Sequence, residues 1–208
     1  MFENVLNSSM LLKAQKVGAV SFQLINLRDF GLGPRKNVDA KPYGGGSGML
    51  LMVEPLYKAI TKLKKLSPGA KVILLSPKGT TYLQSDAKYL ASDKTDLILL
   101  CPRYEGYDER IIHWVDHIYS IGNYIVTGGE LPAMVILDSI TRLLPNVLGG
   151  EQSAIDESFQ DDDSTMEYPQ YTRPKNFKNI KVPKVLLSGN HQVIRTWKDT
   201  LKVKKNLN

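Results

Sequence analysis

The chain has 208 residues, of which 42% are hydrophobic and 23% are charged, a composition typical of a folded globular protein rather than a disordered one. No run of 18 apolar residues predicts a membrane-spanning helix, and the first twenty residues lack the pattern of a secretory signal. The single cysteine, Cys101, excludes an internal disulfide framework and a multi-cysteine zinc site. We therefore expect a reduced, cytoplasmic protein.

The formal net charge of +6 is unevenly distributed along the chain. Residues 151–170 contain seven acidic and no basic side chains, whereas residues 171–208 contain ten basic side chains and one aspartate. Basic side chains release condensed counterions when they approach phosphates, so a basic C-terminal piece favours a polyanionic partner. A lysine-rich surface that faces only water has the same composition, and charge alone leaves both interpretations open.

Hydrophobic periodicity predicts alternating helices and strands in the first half of the chain. In chain order they are a helix over 2–16, a strand over 20–25, a helix over 54–66, a strand over 71–75 and a helix over 82–90. A loop rich in glycine and proline occupies 31–48. The strand over 71–75 is a short apolar run typical of a buried parallel strand, and we expect it to end at Ser76-Pro77-Lys78-Gly79.

The same alternation continues in the second half. In chain order it predicts a strand over 97–100, a helix over 108–115, strands over 117–121 and 124–126, a helix over 130–144, an extended segment over 182–187 and a helix over 191–201. Strands that alternate with helices predict an α/β fold with a mainly parallel sheet. Between these elements, residues 149–167 are polar and acidic and are predicted to be a flexible linker. Its triple aspartate, Asp161-Asp162-Asp163, fits either a solvated stretch or a metal site.

Glycine- and proline-rich loops are the main candidates for a binding site. They follow predicted strands and begin at Ser76, Arg103, Ile121 and Gly128. Loops after the carboxyl ends of parallel strands commonly bind ligands, so we expect a pocket whose backbone groups hold a flat heterocycle. Neither the P-loop motif nor the dinucleotide-binding motif is present, which disfavours kinases, P-loop ATPases and standard dinucleotide oxidoreductases. The three histidines lack a metal-ligand spacing, so no zinc centre is predicted.

One arginine and two carboxylates are candidates for acid–base chemistry. Arg142 lies in a mostly apolar predicted helix, where its side chain either reaches solvent or faces a partner. Asp156 and Glu157 follow in the acidic linker. If the arginine and a carboxylate meet in one pocket, the arginine stabilises developing negative charge and the carboxylate accepts a proton.

Six motifs resemble the bacterial tRNA (guanine-N1)-methyltransferases of the TrmD type, in the SPOUT superfamily. They are D-A-K-P-Y-G-G-G-S-G-M at 39–49, R-Y-E-G-Y-D-E-R at 103–110, S-I-G-N-Y at 120–124, G-G-E-L-P-A at 128–133, Y-P-Q-Y-T-R-P at 168–174 and V-L-L-S-G-N-H at 185–191. The resemblance covers nearly the whole chain in the same order. It implies methyl transfer from S-adenosyl-L-methionine to N1 of guanine 37 in tRNA, next to the anticodon.

The resemblance also implies an architecture. The expected fold is an α/β SPOUT fold with a deep trefoil knot, an exception to the rule against threaded chains, and a small, mostly helical C-terminal domain. The implied divisions are a methyltransferase domain over 1–148, the linker over 149–167 and a short basic tRNA-binding domain over 168–208. The family's first strand has no counterpart here, and its C-terminal helical segment is shorter. The family is a homodimer with shared active sites, and it implies a magnesium requirement although no residue cluster indicates a metal site.

Site residues are carried over by position from the same resemblance. The implied cofactor site comprises Leu75, Ser76, Pro77, Pro102, Tyr104, Gly106, Ile121, Gly122, Asn123, Tyr124, Ile125, Val126, Gly128, Gly129 and Pro132. The implied substrate-binding residues are Glu105, Asp39 and Arg173. Arg142 is assigned to guanine O6 and Glu157 to the proton on N1, with Asp156 as the rival base.

Three positions depart from the family pattern. Glu157 stands where the family has an aspartate, Pro102 where it usually has a glycine, and Ala40 where it has a second aspartate. Glutamate keeps the carboxylate but is longer by one methylene, and proline removes a backbone donor beside the cofactor. Two alternatives stay open: an RNA-binding relative that retains the fold without turnover, and a small-molecule methyltransferase, which leaves the basic C-terminal piece without a purpose.

Overall fold

A three-stranded parallel sheet organises the first of two compact units, Met1–Leu148 and Gly149–Asn208. The computed structural model describes residues 1–148, 157–160 and 162–204. In the sheet, β3 (Lys71–Thr81) lies between β4 (Leu97–Leu100) and β5 (His117–Ser120), and both neighbours run parallel to it. The predicted α/β class with a parallel sheet is therefore confirmed.

Strand β3 is central because its apolar run is buried on both faces. Successive residues of a strand point to opposite faces, so Val72 and Leu74 pack in one cluster while Ile73 and Leu75 pack in another. Helix α3 (Val53–Leu66) contributes Leu56 and Ile60 to the first cluster. Helix α5 (Glu130–Thr141) contributes Ala133, Ile136 and Ile140 to the second. The sheet is thus covered by a helix on each side, as its continuous hydrophobicity indicated.

Shorter elements complete the first unit. They are α1 (Phe2–Leu6), α2 (Ser9–Lys16), α4 (Gln84–Ser92) and an antiparallel pair formed by β1 (Asp39–Ala40) and β2 (Leu50–Leu51). The helix predicted over 2–16 is divided into α1 and α2, because Ser8 has an extended backbone and its hydroxyl donates to the Val5 carbonyl (3.0 Å). Serine favours such helix ends because it competes with the helical hydrogen bonds.

Two predicted strands are absent from the structure. Residues 20–25 have no regular secondary structure, and no described residue pairs with them in a sheet. Alternating hydrophobicity favours an extended backbone, but a strand also requires a neighbour. Residues 124–126 are likewise irregular, because the chain turns at Gly122 (φ +143°) and the Tyr124 N–H donates back to the Gly122 carbonyl (2.9 Å).

Three other predicted elements differ from the structure in length or type. The strand predicted to end at Leu75 continues to Thr81, with residues 76–79 bulging out of register between Leu75 and Thr80, which both face Tyr119. The segment over 108–115 forms a 3₁₀ helix, Glu109–Trp114, and the extended segment over 182–187 forms another, Lys184–Leu187. Asp108 begins the first by accepting the Arg110 N–H (3.0 Å), and Pro183 precedes the second with a helix-compatible φ.

The second unit contains one α-helix and two short strand pairs among its described residues. β6 (Thr165–Met166) pairs with β9 (Val203–Lys204), and β7 (Asn176–Phe177) pairs with β8 (Ile180–Lys181). Helix α6 (His191–Thr200) confirms the predicted helix, and its first N–H groups donate to the Asn190 side chain (3.1 and 3.2 Å). The strand pairs were not predicted. Across the described ranges, no helix combines the length and hydrophobicity needed to cross a membrane.

Candidate active site

The bulge within β3 and the loops that follow β4 and β5 lie at one edge of the sheet. Parallel pairing places Leu74 beside Leu100 and Leu75 beside Tyr119, so the segments 75–77, 101–106 and 121–124 begin side by side. The structure thus brings together three of the segments that the sequence assigned to a cofactor. Leu75, Ser76, Pro102 and Pro132 are buried, whereas Tyr104, Asn123, Tyr124 and Ile125 are exposed.

A hydrogen bond and an ion pair join the loop after β4 to the beginning of α5. The Gly129 N–H donates to the Pro102 carbonyl (2.7 Å), and Arg103 Nε donates to Glu130 Oε1 (2.6 Å). A Cβ atom on Gly129 would lie 2.7 Å from Cys101 Cα, a distance that real contacts do not reach. The glycine therefore permits a close approach of two backbones, and the Arg103–Glu130 ion pair closes the same junction.

We expect Gly129→Ala to lower the free energy of unfolding by about 1–3 kcal/mol, because the added methyl group forces the loop and the helix apart. The variant should also bind the expected cofactor more weakly, since the junction joins two of the segments that the resemblance assigns to the cofactor. Gly69→Ala is the matched control: a Cβ there meets nothing within 4 Å. Chemical denaturation and calorimetric titration of both variants measure the two effects, and equal stabilities would contradict the prediction.

Burial and hydrogen bonds also hold the loop after β5. The buried Ser120 hydroxyl donates to the Gly122 carbonyl (3.1 Å) and accepts the Gly122 N–H (3.2 Å). One residue earlier, the Tyr119 hydroxyl donates to Asp86 Oδ1 (3.1 Å), and burial followed by the Asp86 charge raises the Tyr119 pKa to about 12. Tyr119 is therefore a neutral donor that ties the end of β5 to the beginning of α4.

Glu105 packs against the glycine-rich loop, which is part of the hairpin formed by β1 and β2. The Glu105 N–H donates to the Met49 carbonyl (3.0 Å), and the Leu51 N–H donates to the Gly106 carbonyl (2.9 Å). A Cβ atom on Gly48 would lie 2.3 Å from Glu105 Cγ, so the Gly48 backbone lies directly against that side chain. Because β1 pairs with β2, the same hairpin carries Asp39. Two predicted substrate residues, Asp39 and Glu105, thus belong to adjoining segments.

Sequence reasoning missed two of the contacts that shape this edge. The Tyr107 hydroxyl donates to the buried Ser76 hydroxyl (3.3 Å) and so joins the bulge of β3 to the segment after β4. The Arg103–Glu130 ion pair joins a loop to a helix. The sequence signals the Arg103–Glu130 contact only by opposite charges after a strand and in the first turn of a later helix. The Tyr107–Ser76 contact leaves no signal in the hydrophobic periodicity.

The only cysteine does not serve as a nucleophile at this site. Burial raises the pKa of the Cys101 thiol to about 12, and the Glu130 carboxylate adds to the effect. A thiol attacks as its thiolate, so Cys101 stays protonated and unreactive near neutral pH.

Arg142 lies at the opposite end of α5 from the candidate pocket. The helix begins after Gly129, beside Pro102, and Arg142 is its C-terminal cap. Thirteen residues at 1.5 Å each separate Gly129 from Arg142 by about 20 Å along the helix axis. The structure therefore does not place Arg142 beside the cofactor loops of its own chain.

The remaining candidate residues belong to the second unit. Glu157 is half-buried and Arg173 is exposed; Asp156 lies outside the described residues. The residue after Glu157 is held in place, since the Glu167 N–H donates to the Ser158 hydroxyl (3.0 Å). The acidic run is partly used for turn formation: Asp162 accepts four hydrogen bonds from Ser164 and Thr165, which keep its pKa well below the usual range.

Within residues 1–148, 157–160 and 162–204, no group of three or more His, Cys, Asp or Glu side chains is arranged to hold a metal ion. The described aspartates of the acidic run, Asp162 and Asp163, accordingly do not belong to such a group.

Comparison with known proteins identifies the family. The family model described as "tRNA (Guanine-1)-methyltransferase TrmD" matches residues 1–208. Relatives named "tRNA (guanine-N(1)-)-methyltransferase" include those of Geobacillus kaustophilus, 53% identical over 96% of this chain and 81% of the relative, and Halalkalibacterium halodurans, 52% identical over 100% and 84%. The Bacillus subtilis relative is 46% identical over 99% and 84%. With its loops converging at the carboxyl edge of a parallel sheet, this chain belongs to the TrmD family of tRNA (guanine-1)-methyltransferases.

Proposed function

We propose that the protein transfers a methyl group from S-adenosyl-L-methionine to N1 of guanine 37 in tRNA, acting in the cytoplasm. The family match over the whole chain carries this conclusion, and the names of relatives about 50% identical support it. The fold adds a site of the appropriate kind, because ligands of open α/β sheets bind outside the carboxyl ends of the strands.

The converging loops fit S-adenosyl-L-methionine by their chemistry. Backbone carbonyls and two buried hydroxyls, those of Ser76 and Ser120, suit the polar edge of an adenine and the hydroxyls of a ribose. Gly122 and Gly129 let these loops pack closely, since an added Cβ would collide with the Tyr124 ring at the first position and with the Cys101 backbone at the second. The bound cofactor would supply an electrophilic methyl group. We propose that residues 75–77, 102–106, 121–126, 128–129 and 132 hold it.

The proposed mechanism divides the work between a carboxylate and a guanidinium. Guanine N1 carries a proton, so its lone pair becomes available only when a base removes that proton. We assign this step to Glu157, with Asp156 as the rival. Arg142 would stabilise the negative charge that accumulates on O6 of the guanine. Glu105 would hold the guanine ring in position. Orientation and electrostatic stabilisation then account for most of the acceleration.

The trefoil knot and the domain division are part of the same proposal. The start of α5 is hydrogen-bonded to the loop after β4, which brings separate loops into the close contact that a knotted pocket requires. The family supports a knotted domain over 1–148, a linker over 149–167 and a tRNA-binding domain over 168–208. A magnesium requirement is supported by the family alone.

A shared active site in a homodimer is supported by the outer face of α5. Leu131 and Val135 are each about half exposed, and Arg142 follows them at helical spacing, so the three lie on one face. Soluble proteins usually cover such apolar surface. If this face meets a second copy, Arg142 reaches the partner's cofactor loops, although it lies about 20 Å from its own.

We expect Val135→Glu to convert the dimer to a monomer, because a carboxylate buried in an apolar interface has no compensating charge. Loss of the dimer should abolish methyl transfer. The separated chains should still show a thermal unfolding transition, which indicates that they remain folded. Leu66→Glu, at an exposed position near the end of α3, is the matched control and should stay dimeric. Light scattering after size-exclusion chromatography decides the matter, and a dimeric Val135→Glu variant would refute this interface.

The second unit is proposed to bind the body of the tRNA. Its described part exposes Lys175, Lys178, Lys181 and Lys184, and lysines near phosphates release counterions. The positive charge disfavours the alternative of a small-molecule methyltransferase. Added salt should weaken binding of a tRNA substrate steeply, whereas no such weakening is expected for a small-molecule substrate.

Transfer of labelled methyl to a tRNA transcript tests the proposed function directly. We expect one methyl group per transcript, located at N1 of guanine 37 and lost when that guanine is replaced by adenine. Binding of the transcript without any transfer, at every enzyme concentration, would instead support the RNA-binding relative without turnover.

A further inference from the structure

An exposed aromatic ring stands at the beginning of the glycine-rich loop. Tyr43 is 99% exposed, so almost none of its ring is covered by the described chain. Single exposed apolar side chains are common on protein surfaces and need no explanation by themselves. Tyr43 differs from them in two respects, namely the conformation of its loop and the identity of its neighbours.

The loop after Tyr43 follows a path that only glycine adopts readily. Gly44, Gly45, Gly46 and Gly48 have φ values of +84°, +83°, +122° and +80°. At Gly44 and Gly45 a Cβ atom would meet nothing within 4 Å, so glycine is required there by the backbone and not by crowding. The β1–β2 pairing joins the two ends of the loop. The tyrosine is therefore presented from a hairpin rather than from a free tail.

The same loop connects Tyr43 to the candidate substrate site. It ends at Gly48, whose backbone lies against the Glu105 side chain, and at Met49, which accepts the Glu105 N–H. A ligand that contacts Glu105 thus lies within reach of the segment that carries Tyr43.

Exposed basic side chains occur in the segment that carries the ring and in the segment that carries Glu105. Arg110 is held by Asp108 through paired hydrogen bonds (2.9 and 2.6 Å). That pairing is the main cause of the raised Arg110 pKa, and it holds the guanidinium at an exposed position. Lys41 precedes Tyr43 by two residues and is exposed. An aromatic face beside cations matches an unpaired nucleotide, whose base stacks while its phosphate meets the charge.

We propose that Tyr43 stacks on a nucleobase of the tRNA adjoining the guanine that Glu105 addresses, with Lys41 facing its phosphates. This inference rests on the proposed function, since it names a subsite for the same RNA. Removing one base–aromatic stack weakens binding by about 5- to 100-fold. Stacking uses the π-face of the ring, so the hydroxyl is dispensable.

Kinetics of three variants with a tRNA transcript test the proposal. Tyr43→Ala should raise KM for the transcript at least five-fold, whereas Tyr43→Phe should stay within two-fold of the unsubstituted protein. The affinity for S-adenosyl-L-methionine and the thermal unfolding temperature should not change in either. Leu66→Ala removes an exposed apolar side chain far from Glu105 in the sequence and should behave as the unsubstituted protein.

A fluorescent readout separates stacking from a structural role. An anticodon stem-loop RNA with 2-aminopurine in place of the nucleotide on either side of the target should lose fluorescence on binding, and Tyr43→Ala should restore it. If Tyr43→Ala keeps the original KM and quenching, or if Tyr43→Phe fails as Tyr43→Ala does, the stacking proposal is wrong. If the unsubstituted protein binds the transcript but does not methylate it, the proposed function is wrong. The fluorescence quenching still tests the stacking proposal in that case, because it measures binding and not methyl transfer.

Discussion

Glu157→Gln is expected to lower the rate of methyl transfer by about 10²- to 10⁴-fold, the range that a positioned general base contributes. The amide has nearly the shape of the carboxylate but does not accept the N1 proton. Binding of S-adenosyl-L-methionine should change little, because the carboxylate acts on the guanine and not on the cofactor. Single-turnover transfer to a tRNA transcript and calorimetric titration of the cofactor measure the two quantities separately.

The same experiment distinguishes the two candidate bases. Glu167→Gln makes the identical chemical change ten residues away, where the side chain accepts a hydrogen bond from Gln170, and should retain full activity. Asp156→Asn should also remain active if Glu157 is the base. An inactive Asp156→Asn protein beside an active Glu157→Gln protein would assign the proton transfer to Asp156 instead.

Arg142→Ala and Glu105→Ala are each expected to reduce turnover by about 10²- to 10³-fold, the usual cost of removing a group that stabilises developing charge or orients the substrate. The more informative result comes from a heterodimer that carries one substitution in each chain. If Arg142 acts across the interface, one of the two sites in this heterodimer combines an intact Arg142 with an intact Glu105. About half of the unsubstituted turnover should then return, because a two-fold dimer contains two equivalent sites.

Purification of the heterodimer through two different affinity tags removes both homodimers from the assay. Turnover at the level of the homodimeric variants would show that each site takes Arg142 and Glu105 from the same chain. That outcome would require a route between the two ends of α5, which about 20 Å of helix separates. The matched control substitutes Leu66→Ala in one chain and should leave both sites active.

Much of the α/β framework was predictable because its signals are local. The apolar run over 71–75 and the four leucine and isoleucine residues over 97–100 predicted buried strands. Both strands were confirmed, although in the second only Leu100 is fully buried. The amphipathic pattern before Pro68-Gly69 predicted α3 to within one residue. Alternation in residues 20–25 has the same local quality but was misleading, because a strand exists only where another strand accepts its hydrogen bonds.

The candidate site was predictable only in part. Glycine and proline after strands indicated which loops would gather at one edge, because parallel strands end together. The contact of Gly48 with Glu105 was not predictable, since backbone proximity between distant segments leaves no periodic pattern. The sequence also did not show that Arg142 lies far from the loop after β4. That distance follows from the structure, in which Gly129, at the other end of α5, is hydrogen-bonded to Pro102.

The amino-acid sequence by itself determined the class of fold, the alternation of the three parallel strands with helices, and the family through its six motifs. The tertiary structure alone decided the order β4–β3–β5, the bulge over 76–79, and the closure of the loop after β4 onto α5 through Gly129 and the Arg103–Glu130 ion pair. The physical reason is the range of the interactions. Hydrophobic periodicity and backbone preference act over a few neighbouring residues, whereas sheet order and loop closure depend on packing and hydrogen bonds between segments far apart in the chain.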